Sequence, residues 1–147
     1  MKKAVLVCLV ALLGMGTSAK AQNAEKTIVG VWQQYVSRQS KEGTTTLILA
    51  PVWKMISDDG KFCVMAQTNA EFNTIITTHG TYQMKSDSIC VEKVAFSAFS
   101  KQLEGKDNEL TCKLLNPNIM TISYKSTDGA GQAYELWKRV KPEELKR

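Results

Sequence analysis

Strict two-residue alternation constrains this chain more than any other feature. In Ile119-Met120-Thr121-Ile122-Ser123-Tyr124-Lys125, one face carries Met120, Ile122 and Tyr124, and the other carries Thr121, Ser123 and Lys125. Successive strand side chains point to opposite faces, so this is the signature of a strand with one buried and one wet side. Similar β-rich runs occupy residues 31–36, 45–49, 52–56, 61–65, 80–85, 88–94, 109–115 and 133–140. Ser57-Asp58-Asp59-Gly60 separates two of them, and an Asp-Gly step between strands predicts a tight hairpin. Asn116-Pro117-Asn118 and Asp128-Gly129-Ala130-Gly131 mark two further turns. No long helical period competes. The expectation is an all-β, antiparallel up-and-down barrel of about 8–10 strands. Residues 69–78 and 96–107 are the least regular, and Phe96, Phe99 and Leu103 predict a short helix or lid in the second.

The N-terminus follows a different rule. Met1-Lys2-Lys3 is a positive head, residues 4–14 are almost wholly apolar, and Ala19-Lys20-Ala21 ends the segment. This pattern predicts a secretory signal peptide over residues 1–21, cut between Ala21 and Gln22. The apolar run is shorter than the ~20 residues a spanning helix needs, so the mature chain is expected to have no transmembrane span. Cys8 sits mid-core after Val7 rather than at the end of the core, which disfavours a lipid anchor. The expected product is residues 22–147, a single domain in the periplasm or outside the cell. Loss of Lys2, Lys3 and Lys20 lowers the net charge from +5 to +2. With no basic run interleaved with aromatics, nucleic acid is not an expected partner.

Export leaves Cys63, Cys90 and Cys112. If the strands holding Cys90 and Cys112 are consecutive and antiparallel, the two could lie opposite one another and form a disulfide. The alternative is that all three are small buried apolar side chains. No C-x-x-C spacing is present, so zinc and thioredoxin-type chemistry are not expected.

Gly30-Val31-Trp32, at the opening strand, resembles the G-x-W start of lipocalins and other calycins, and Glu135-Leu136-Trp137-Lys138-Arg139-Val140 resembles their basic closing strand. The run from Pro51 to Phe62 and Gly80-Thr81-Tyr82 add a similarity to small secreted lipocalin-like proteins of Gram-negative bacteria. The T-D-Y loop pattern of lipocalins is absent. The resemblance implies a lipocalin-like barrel over roughly residues 28–140, its narrow end beside Gly30 closed by a basic residue packed on Trp32, Arg139 first and Lys138 as the second candidate. A cation over an aromatic face contributes about 0.5–2 kcal/mol.

No catalytic constellation emerges. His79, the single histidine, stands in Thr77-Thr78-His79-Gly80 at the expected start of a strand, with no local nucleophile or orienting acid. Asp58-Asp59-Gly60 lacks the alternating oxygen ligands of a calcium loop, and Gly129-Ala130-Gly131 opens no helix. No metal or cofactor is expected. Glu92 has two possible orientations. If Cys90 and Val94 face inward, Glu92 follows them and becomes a candidate ligand contact; if Ile89 and Val91 do, Glu92 stays in water, and this solvated arrangement is the expected one.

The leading functional expectation is a non-enzymatic binding protein that holds a small apolar or amphipathic molecule. Met55, Phe62, Met65, Tyr82, Met84, Met120 and Tyr124, together with Glu92 if it faces inward, form the candidate cavity wall. One rival is a filled barrel that recognises an envelope protein or glycan through Trp53 and the Phe96–Phe99 segment. The other is an enzyme that uses Glu92 as an isolated acid.

Overall fold

A computed structural model describes residues 27–68, 73–126 and 129–145. The signal peptide and cleavage site expected at residues 1–22 lie outside these residues. Eight antiparallel strands close into an up-and-down barrel: β1 (Gly30–Gln39), β2 (Thr45–Ile56), β3 (Lys61–Gln67), β4 (Thr74–Met84), β5 (Ile89–Ser97), β6 (Asp107–Asn116), β7 (Ile119–Lys125) and β8 (Gln132–Arg139). Each strand pairs with its sequence neighbour, and β8 pairs with β1 through Trp32↔Arg139 to Tyr35↔Leu136. Full closure leaves no unpaired edge. The described helix is limited to two single 3-10 turns, Lys101–Leu103 and Pro142–Leu145. No helix among the described residues is long and apolar enough to cross a membrane.

Two differences from the sequence reading have local causes. Residues 45–49 and 52–56 are one strand, not two. Pro51 has no N–H to donate, so Ala50-Pro51-Val52 makes an irregularity opposite Gln34 rather than a break. The Gln33 side-chain amide covers it by donating to the Ala50 carbonyl at 2.8 Å. Strand β4 starts earlier than expected, at Thr74, so His79 lies within the strand rather than at its start. Thr77 is the additional residue of a bulge in β4 against β3, and Ala95 is that of a second in β5 against β4. Beside the second, Gly80 runs so close to β5 that a Cβ there would overlap the Lys93 carbonyl.

The two ends of the barrel differ. At one end the chain turns tightly; Gly60 takes φ +78° in the hairpin between β2 and β3, and the Tyr82 hydroxyl donates to the Ser57 carbonyl at 2.7 Å. This end is filled by Ile28, Trp32, Ile56, Cys90, Cys112 and Met120. The Arg139 guanidinium lies 4.1 Å from the Trp32 ring centroid. It donates to the carbonyls of Thr27, Val29 and Pro117 at 2.6–2.7 Å, and the indole of Trp32 donates to the Ile28 carbonyl at 2.8 Å. Gly30 leaves room for this arrangement, because a Cβ there would sit 2.5 Å from an arginine nitrogen. At the opposite end longer connections link β3 to β4, β5 to β6 and β7 to β8, and the interior stays open.

Candidate functional site: a half-filled barrel with a charged floor

Eight strands make a barrel whose interior either fills with side chains or holds one small ligand. Here the closed half is filled and the open half contains a cavity of about 690 Å³, within the range of small-molecule sites. Its walls alternate residue by residue along the strands: Val52 and Lys54 from β2, Phe62, Val64 and Ala66 from β3, Glu92 and Val94 from β5, Leu110 from β6, Ile122 and Tyr124 from β7, Glu135 and Trp137 from β8. Phe99, Ser100 and Leu103 from the β5–β6 connection stand at the mouth. Phe99 is 81% exposed there, and the single 3-10 turn Lys101–Leu103 after it is the short helix expected within residues 96–107.

The floor is charged. The Lys54 ammonium bonds the Glu92 carboxylate at 2.6 Å, and the two residues are only 5% and 8% exposed. A buried ion is costly unless it is paired. Burial opposes the charge on Lys54, but the nearby Glu92 and Glu135 carboxylates outweigh it and raise the lysine's pKa above its ordinary value. The ammonium also sits 5.1 Å from the Phe62 ring centroid. Glu135 accepts from the Tyr124 hydroxyl at 3.0 Å and from the Trp137 indole at 2.9 Å, one donor on each oxygen. Desolvation first, and Glu135 second, push the Tyr124 phenol up to about 12. Every buried side-chain polar atom among the described residues has a partner.

The orientation expected for Glu92 is therefore corrected. Cys90, Glu92 and Val94 all face inward, because Lys54 on the opposite wall supplies the partner that makes burial tolerable. Of the other candidate wall residues, Phe62 and Tyr124 line the cavity. Tyr82, Met84 and Met120 face inward but belong to the packed closed half. Met55 and Met65 face outward: their β2–β3 neighbours Lys54↔Val64 hold the inner face, which puts Met55↔Cys63 and Trp53↔Met65 on the outer one. Lys54, Glu135 and Trp137 were not singled out from the sequence. The signal was present in Val52-x-Lys54-x-Ile56 and Ala133-x-Glu135-x-Trp137, where a charge sits in step with an apolar face.

Cys90 and Cys112 share the inner face but not a register position: Cys90 pairs with Leu110, and the Cys112 amide bonds the Ser88 carbonyl. They are free thiols close enough to hydrogen-bond each other. That bond, together with burial, holds the Cys112 thiol well above its usual range. His79 is exposed on the outer face and stacks on Phe96 with ring centroids 5.7 Å apart. Among the described residues no three His, Cys, Asp or Glu side chains are grouped to hold a metal ion.

The family described as a domain of unknown function, DUF4488, matches residues 27–146, which is the whole barrel. The chain is a member of the DUF4488 family. Two solved structures are similar to this DUF4488 barrel. One is a redesigned beta barrel, 16% identical over 80% of this chain and 96% of that one, with a TM-score of 0.46. The other is a de novo designed fluorescence-activating beta barrel, 14% identical over 80% and 97%, with a TM-score of 0.44. No curated protein matches the DUF4488 chain.

Proposed function

We propose that this protein is an exported, non-enzymatic carrier that holds one small amphipathic molecule in the open half of its barrel. The observation that carries this reading is the cavity of about 690 Å³, with apolar walls and a polar floor reached from one end. Most ligand sites have this character: mainly apolar walls with a few placed polar groups that fix orientation. The export part rests on the pattern of residues 1–21. The non-enzymatic part is supported by the histidine, which faces away from the cavity on the outer wall and so supplies no base to a molecule inside it.

Native mass spectrometry of protein purified without detergent from its own host's envelope tests the proposal. A stoichiometric mass released on denaturation is the expected result, and its identification names the ligand chemistry. An N-terminus at Gln22 in the same spectrum is expected from export. A bare protein that also takes up no amphipathic probe in solution would refute the carrier reading.

A further inference from the structure

We infer, building on the carrier reading, that the ligand is an amphipathic cation whose ammonium group is received at Glu135 on the cavity floor. Charge balance leads to this assignment. The floor brings two carboxylates, Glu92 and Glu135, to the single ammonium of Lys54. Lys54 is committed to Glu92 at 2.6 Å, so among the described residues Glu135 is the carboxylate whose hydrogen-bond donors, Tyr124 and Trp137, are neutral. A carboxylate offers about four acceptor positions and an ammonium brings three N–H donors, so a ligand ammonium can bond Glu135 without displacing either neighbour.

An anionic head group meets the opposite situation. It could reach the remaining N–H donors of Lys54, but it would place three negative groups, Glu92, Glu135 and its own, around one buried lysine. On the inner faces of the described strands, the cavity lining carries two carboxylates, Glu92 and Glu135, and one lysine, Lys54. Clefts with an excess of one sign concentrate ligands of the other. Val52, Phe62, Val64, Val94, Leu110 and Ile122 supply the apolar wall for the body of the molecule. A fully apolar ligand would leave this floor without any gain from its charge, whereas a cationic amphiphile matches both surfaces.

The test uses three probes of equal chain length, 1-nonylamine, nonanoate and 1-nonanol, titrated into the purified protein at neutral pH. Trp137 lines the cavity, so its fluorescence reports occupancy, with calorimetry giving the affinity. The amine is expected to bind at least about tenfold more tightly than nonanoate, a difference of about 1.4 kcal/mol, and more tightly than nonanol. Glu135→Gln is expected to abolish the preference for the amine while keeping the affinity for nonanol, which also shows that the variant is folded. Equal or tighter binding of nonanoate or nonanol overturns the charge assignment but leaves the carrier reading standing. An amine preference that survives in Glu135→Gln overturns the role of Glu135. Binding of none of the three overturns the carrier reading, and this inference with it.

Discussion

Replacing Lys54 by methionine isolates the energetics of the floor. Methionine keeps much of the length of the lysine side chain and its apolar stem, but removes the charge that faces Glu92 at 2.6 Å. At that separation, with an effective dielectric constant of about 20, the attraction is about 6 kcal/mol. Taking each ion out of water costs several kcal/mol, so the pair contributes little net stability beside two well-packed apolar side chains. Losing one partner is different, because Glu92, only 8% exposed, keeps its full desolvation cost with nothing to offset it. Lys54→Met should therefore destabilise the barrel by about 3–5 kcal/mol. Glu92→Leu should cost less, because Glu135 still attracts the lysine. The double variant Lys54→Met/Glu92→Leu should return to within about 1–2 kcal/mol of the parent, as expected when both ions are removed together. Urea unfolding followed by circular dichroism measures all three. With an m-value of about 2 kcal/mol/M, Lys54→Met lowers the midpoint by roughly 1.5–2.5 M. A loss below about 1 kcal/mol, or additive effects in the double variant, would refute a desolvated, mutually dependent pair.

Two other outcomes follow from the same structure. Because the pKa of Lys54 is raised in the folded state, its contribution is complete below the ordinary lysine value and is lost as pH climbs through the folded one. The stability gap between parent and Lys54→Met should therefore narrow above about pH 10.5. Tyr124, held at about 12, lowers the stability of both proteins between about pH 10 and 12, so the gap rather than either curve reports the lysine; a gap that widens with pH contradicts the ion pair. At the closed end, Arg139→Lys keeps the charge but cannot reproduce three carbonyl contacts and the stack on Trp32. It should cost about 2–4 kcal/mol, read as a fall in thermal midpoint; an unchanged midpoint would show that Arg139 does not brace the barrel end.

Much of the wall could be read in advance because strand alternation is a local property. Met120, Ile122 and Tyr124 share the inner face as their spacing says. Gly30, Trp32 and Arg139 could be named from two short motifs at opposite ends of the chain, and pairing between β1 and β8 brings them together. The floor was less legible. Within 89–94 alone, either face can be the inner one, and a carboxylate argues for the solvated choice. Only the lysine on a distant strand reverses that argument. The apolar character of Met55 and Met65 fits a cavity wall, but it does not say which way a strand faces, and Lys54 and Val64 take the inner positions beside them.

Backbone pleating gives every strand a period of two, so local sequence is enough to say that the described chain is built of strands, where most of them turn, and which side chains travel together on one face. Which face became the interior, how far the barrel filled and which charges met inside it were set by the closed fold. Those outcomes depend on register between strands and on the desolvation of groups far apart in the chain. Lys54, Glu92 and Glu135 acquire a joint role only when closure of eight strands removes water from between them.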